Sequence, residues 1–497
     1  MALLPDLFPE ERHRLRSHAM NRYCLLLLTL LAALPLAAQS RREALLEYRS
    51  RRRQAYTEFR DNYRKACADY MRKRWEAYRA EAPLPLPERQ EPVRPVVKAP
   101  DAPKPAAPVQ LRYEEVVTVP IPAPEPELPT APAPEKPATT RPFRFEFYGT
   151  DCSVTLTRAQ QFRLASTQES DVASAWERIA AGGCDKAAAE CRELKRQLGL
   201  NDWGYYELVR ILAEAYCGAG TDESVLLRSF LMAEAGYRMR LARGDGRLCL
   251  LTEPACEVYA RLYFKIDGRT FYLLDGGPRA SAYNVCNFPV PGERALSLAM
   301  PETPALADKA GRRAERNDTR QGIAASVVPN DNLLAFMTAY PPCSWEIYAA
   351  TRLSKRTAQQ LFPPLRAAIA DKSERQAAEI LLHYLHRAFP YRTDEEQFGG
   401  ERTLFADELF GYPYSDCEDR SILYARLVRE LLGLDVVLLH YPEHIATAVR
   451  FTTETQGDYV QLDGRRYVVC DPTYIGADTG EAMPDLKRAN ARIIRID

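Results

Sequence analysis

Late in the sequence a cysteine, a histidine and an aspartate follow one another at spacings that could support nucleophilic chemistry. Cys417 lies in "YPYSDCEDRS", just ahead of the apolar run "ILYARLVRELLG". Ile422, Leu423, Leu427, Leu431 and Leu432 share one helical face and Gly433 stops the run, which predicts a helix opening at or just after Cys417. The free amides and the dipole of a helix start stabilise a thiolate and can donate to an oxyanion. Asp416, Glu418 and Asp419 favour the helix start but oppose a thiolate. The chemistry therefore needs a cationic partner.

"LDVVLLHYPEHIATAVRFTT" supplies a candidate. It reads as a strand at 434–440, a turn at Pro442–Glu443 and a second strand opening with His444. "GDYVQLDGRRYVVCDPTYIGA" then gives a strand, the turn Asp463–Gly464, and a strand ending at Asp471–Pro472. The order is a cysteine on a helix start, a histidine on one strand and an aspartate at the next strand's end. Those are the types needed for a nucleophile, its base, and a carboxylate that orients the base. His440, on the first strand, is the runner-up base. Cys470 alternates to the strand face opposite Asp471 and reads as a core or disulfide residue. His383 and His386 lie three apart on a preceding helix, without the third ligand that a zinc site needs.

This stretch resembles the transglutaminase-like superfamily of papain-like cysteine enzymes. The likeness covers roughly 375–476, from "SERQAAEILLHYLHRAFPY" through "SDCEDRS" and "PEHIATAV" to "CDPTYIGA". It implies an α+β catalytic domain at 335–497 with the triad Cys417, His444 and Asp471, acting on a protein or peptide substrate with no metal or organic cofactor. Many members carry a tryptophan soon after the histidine, where this chain has Ile445–Ala446. The acyl-enzyme could pass to water, as in a peptidase or amidase, or to a lysine amine, as in a transglutaminase. Hydrolysis is the favoured outcome. The competing reading is a catalytically silent two-domain binding module, in which the three residues are a core or disulfide thiol, a strand histidine and a turn acid. An open groove over Cys417 is expected of the enzyme.

The elements that would carry this site belong to a chain of 497 residues, long enough for two or three domains. Lysine plus arginine equals aspartate plus glutamate at 67 each, so no global charge points to nucleic acid. "MNRYCLLLLTLLAALPLAAQS", at 20–40, reads as a secretory signal starting at Met20 and cleaved near Ala38, within a signal region at 1–39. Its apolar run is shorter than the about 20 residues that span a bilayer. The expected location is secreted or periplasmic, which permits disulfides among the twelve cysteines.

Residues 40–82 read as a basic amphipathic helix, either a solvated spacer or a contact for the cell envelope or a protein partner through 41–81. Residues 83–142 hold 18 of the 37 prolines and read as an extended linker, with helix and sheet both excluded. Residues 143–290 echo the catalytic segment. Gly236 matches Gly433 at an offset of 197 and Asp275 matches Asp471 at 196, which indicates a duplicated unit. The register sets Gly220 opposite Cys417, and no histidine occurs between 19 and 382, so the first copy reads as degenerate. Residues 291–334 read as a polar connecting loop.

Overall fold

The computed structural model describes the chain outside residues 1–46, 49, 52, 53, 56, 87–93, 100–106, 119–141, 291, 443 and 497. The expected signal segment and much of the proline-rich stretch lie outside the described residues. Residues 67–126 and 134–497 form one compact unit. It is mixed α+β, and its elements run in two helix-then-strand series.

Helix α1 (57–71) stops well short of residue 82, and β1 (Glu76–Tyr78) follows it. The stretch expected to be linker is also not wholly linker, because β2 (Arg112–Thr118) forms within it. The physical reason is local. Proline density was averaged over sixty residues, yet "VQLRYEEVVTV" at 109–119 contains no proline and is rich in β-branched residues. A short hairpin, β3 (Phe143–Phe147) with β4 (Thr150–Val154), opens the first series.

Four helices follow: α2 (Glu169–Ala181), α3 (Cys184–Gln197), α4 (Asp202–Cys217) and α5 (Asp222–Glu234). Strands β5 (Met239–Gly244), β6 (Arg247–Thr252), β7 (Tyr263–Ile266), β8 (Arg269–Tyr272) and β9 (Tyr283–Cys286) then build a six-stranded sheet in the order β1-β9-β5-β6-β8-β7. Its buried face carries Leu251, Phe264, Phe271 and Val285.

The segment read as a connecting loop contains an antiparallel hairpin, β10 (Ala314–Asp318) with β11 (Ile323–Val327). Its inward side chains on β10 are Arg316 and Asp318, both buried. Polar residues on the inner face hid the period-two signal from a hydrophobicity reading. Arg316 donates to the carbonyls of Leu409 and Tyr412, and Asp318 accepts from Arg387 at 2.7 Å. The hairpin is thus anchored on the helix that carries Arg387 and on the segment that precedes Cys417.

Helices α6 (Asp331–Thr338), α7 (Trp345–Ala350), α8 (Lys355–Ile369), α9 (Glu374–Ala388), α10 (Asp394–Phe398) and α11 (Cys417–Leu432) come next. Strands β12 (Asp435–Tyr441), β13 (His444–Arg450), β14 (Tyr459–Leu462), β15 (Arg465–Cys470) and β16 (Asn490–Arg495) complete the second sheet, ordered β14-β15-β13-β12-β16-β2. Read from the other edge, the second sheet repeats the order of the first. The five strands from β9 to β7 and from β16 to β14 also match in sense, all pairs being antiparallel. Only the edge differs, β1 running antiparallel to β9 and β2 parallel to β16. Helix α5 packs on β5 and β6 as α11 packs on β12 and β13. Leu439, Ala446, Val469 and Ile493 are buried in one cluster of the second sheet. Each such Leu, Ile or Val contributes about 1.5–3 kcal/mol by leaving water.

Candidate active site

Cys417 is the first residue of α11. Asp416 caps the helix, its Oδ1 accepting from the Asp419 amide at 3.4 Å, and Gly433 ends it in a left-handed conformation with its amide on the Arg429 carbonyl. An aspartate cap of this kind is worth about 0.5–2 kcal/mol. The Ser421 hydroxyl donates to the Ile445 carbonyl at 2.9 Å, which fixes α11 against the start of β13. The helix start is therefore held both along its own axis and against the strand that carries the histidine.

His444 opens β13 at the pair that closes the β12–β13 hairpin, Tyr441 with His444. In the β13–β15 ladder Thr447 faces Cys470, so Asp471, one residue beyond, emerges on the same side as His444. His444 Nε2 meets Asp471 Oδ2 at 2.8 Å. A carboxylate can only accept, so Nε2 carries the proton and the lone pair is left on Nδ1. That Nδ1 is buried and has no hydrogen-bond partner among the described residues.

Asp471 Oδ1 accepts the amides of Thr473 and Tyr474 at 2.9 and 3.1 Å. Burial pushes its carboxyl up. The charge and hydrogen bond of His444, with the two amides, outweigh burial and hold it below its ordinary value.

The site is closed. Cys417, His444 and Asp471 are 0, 3 and 1 % exposed, so the groove expected over Cys417 is not open. The Cys417 thiol lies 3.6 Å from Glu418 Oε2.

No protein-family model, curated protein or solved structure matches the chain.

Two positioning residues escaped the sequence reading. Arg420 is buried on the first turn of α11. It reaches the Ser415 hydroxyl at 3.3 Å, the Phe389 carbonyl, and the Pro472 carbonyl at 3.5 Å. One guanidinium thus ties the turn before Cys417 to the turn after Asp471. Burial lowers its pKa to about 10, which still leaves it charged at neutral pH. The cation expected beside Cys417 is His444; Arg420 adds a second charge that Asp416, Cys417 and Asp419 feel, and its position three residues beyond Cys417, one turn along the same helix face, was the available signal.

His386, expected to be an ordinary helix residue, meets the Asp471 carbonyl through Nε2 at 3.1 Å. His383 Nε2 likewise contacts the Ala477 carbonyl at 3.2 Å and Asp478 at 3.2 Å. Both histidines of α9 brace the loop after Asp471, and neither belongs to a metal-holding group among the described residues. His440, the runner-up base, lies on the pleat face opposite His444, its ring edge-on to Trp345 at 4.4 Å. Cys470 is a core thiol raised to about 12 by burial, and the described cysteines form no disulfide.

Beneath the helix start lies a cluster of carboxyls. Asp394, Asp416 and Asp419 bring oxygens within 4.8 Å of one another, as do Asp394, Glu401 and Glu418. Burial, followed by the neighbouring acids, holds Asp416 and Asp419 well above the carboxylate range. Partial relief comes from the Leu404 amide on Asp419 and the Arg402 amide on Asp394. Such a set of oxygen donors could hold shared protons or a hard divalent cation.

Proposed function

We propose that the chain is an exported, transglutaminase-like cysteine hydrolase acting on peptide or amide bonds. The observation that carries this reading is the buried His444–Asp471 pair at 2.8 Å, with the His444 Nδ1 lone pair unpartnered, beside a helix whose first residue is Cys417. The shared strand order of the two sheets supports the reading of 143–290 as a copy without the nucleophile. Among the described residues no helix is long and apolar enough to cross a membrane.

In this mechanism His444 Nδ1 takes the Cys417 thiol proton. The thiolate attacks the carbonyl carbon, and the electron pair moves onto the carbonyl oxygen, which the amides of the α11 start can receive. Collapse of that intermediate breaks the C–N bond while His444 returns the proton to the leaving amine. Water, deprotonated by the same Nδ1, then releases the acid and restores the thiol. Asp471 stays ionised and holds Nε2–H throughout. Substrate entry requires the cover over Cys417 to move, a gating step that precedes chemistry.

The burial of Cys417 specifically favours the second reading, a binding module whose thiol is structural. The full chain incubated with peptide libraries, with and without an amine acceptor, separates the outcomes. Free carboxyl products dependent on Cys417 support hydrolysis, and amine-linked products support transfer. Neither product, together with a Cys417 that resists iodoacetamide below neutral pH, would leave the binding module.

A further inference from the structure

The first copy keeps a cavity at the place where the second copy has its triad. The β5–β6 hairpin closes on Gly244–Arg247 as the β12–β13 hairpin closes on Tyr441–His444. Arg247 therefore stands where His444 stands, Gly220 where Cys417 stands, and Asp275 where Asp471 stands. All three line one cavity of about 340 Å³. The nucleophile and base are replaced by a residue with no side chain and by a fixed cation. Hydrolysis is not available there, but space and guanidinium donors are.

The wall is built around a buried arginine. Arg228 is 5 % exposed, its Nη1 sits 2.5 Å from Asp275 Oδ2, and its Nε has no partner. Tyr206 donates to the other Asp275 oxygen at 2.8 Å, and the Arg228 guanidinium lies over the Tyr206 ring at 5.3 Å. The Asp275 charge is thus already neutralised within the wall. Arg247 is half-exposed at the mouth. Its Nε is held by Asp222 and its Nη2 by the Gly220 carbonyl, while no protein partner engages Nη1. Arg210, held by Glu207 and Glu214, adds a third guanidinium.

The lining carries three guanidinium groups, which pair with Asp275 and Glu214 in the wall and with Asp222 and Glu207 just beyond it; the donors left for a ligand are Arg247 Nη1 and the buried Arg228 Nε. Leu248, Leu250, Leu273 and Pro278 make the rest of the wall apolar. A bare phosphate would make no use of that wall. A peptide end would use both parts, placing its carboxylate on the N–H groups of Arg247 Nη1 and its last side chain against the leucines.

We infer that the first copy binds the free C-terminal carboxylate of a peptide with an apolar last residue, in the cavity formed by Arg247, Arg228 and Gly220. This site is independent of any chemistry at Cys417. If the chain is a peptidase, each turnover makes a free C-terminal carboxylate.

The test is calorimetric titration of the full chain carrying Cys417→Ala, at low salt, with N-acetyl-Leu-Leu as the free acid and as the amide. The acid should bind, and the amide should bind at least about tenfold more weakly, since it loses the charge-assisted pair. Arg247→Gln should weaken the acid at least about tenfold without shifting the melting temperature, because Arg247 is half-exposed, and Arg247→Lys should recover part of the loss. Equal binding of acid and amide, no binding of either, or indifference to Arg247→Gln would each overturn the inference. Competition by inorganic phosphate as strong as by the acid would overturn the peptide class. Turnover by the unmutated chain is scored separately, so a failed hydrolase reading leaves this readout intact.

Discussion

His386 donates from Nε2 to the backbone carbonyl of Asp471 at 3.1 Å, while the carboxylate of the same aspartate takes the proton-bearing nitrogen of His444. Two histidines from different elements thus hold one aspartate at both its main chain and its side chain. Burial holds His386 neutral, lowering its pKa to about 4.

That depression makes a pH prediction. Between about pH 4 and the ordinary histidine value near 6.5, the unfolded chain binds a proton at residue 386 that the folded chain refuses. Stability due to this residue is present above about 6.5 and is lost as pH falls toward 4. His386→Gln keeps a donor for the Asp471 carbonyl and removes the titration. Melting temperatures measured from pH 7 to pH 4 should fall less steeply in the variant. An equal slope would place the burial of His386 in error.

The triad should behave as one unit. His444→Ala should reduce turnover by on the order of 10²–10⁴-fold. Adding it to Cys417→Ala should cost little more, since no nucleophile remains to activate. Asp471→Asn should cost less than His444→Ala, because an amide oxygen can still accept from Nε2. Its amino group, however, would then face the Thr473 and Tyr474 amides, so some loss is expected. Additive losses measured as kcat/KM would argue against a shared mechanism.

Arg420→Met should destabilise the second α+β series without touching Cys417, His444 or Asp471. It leaves the Phe389 and Pro472 carbonyls and the Ser415 hydroxyl short of a buried donor, at roughly 1–3 kcal/mol for each orphaned group. Denaturant unfolding followed by circular dichroism should show a lower midpoint. Arg420→Lys should recover little, since one ammonium cannot reach three acceptors in a planar fork. A midpoint unchanged by Arg420→Met would remove the clamp from the account.

The legible parts of the fold were those written in local pattern. The helix after Cys417 has a one-sided stripe and a glycine stop, and the β12–β13 hairpin has its turn at Pro442, so both could be placed from spacing. Strand β2 was lost to an averaged proline count, and β10 to the polar character of its inner residues Arg316 and Asp318. In the site, the order of cysteine, histidine and aspartate was visible because each sits at the end of an element. Asp394 and Glu401 were not, because they reach the acids beside Cys417 only through the tertiary packing of α10 and the loop after it. The closure over Cys417 was also illegible, since burial depends on the arrangement of distant segments.

The edge pairing of β2 with β16 carries a consequence for biogenesis. Arg112 is made early, but its partner Asn490 comes only after almost all of the chain between them. β16 lies between β12 and β2, so the second sheet cannot be closed on that side until residues 490–495 have been made. Until then β12 offers an unpaired edge, the kind of surface on which nascent chains associate wrongly. Such long-range pairing also slows folding. A chain released before residue 490 should therefore collect in aggregates, and recovery of the full-length protein should depend more on holdase chaperones than its net stability alone would suggest.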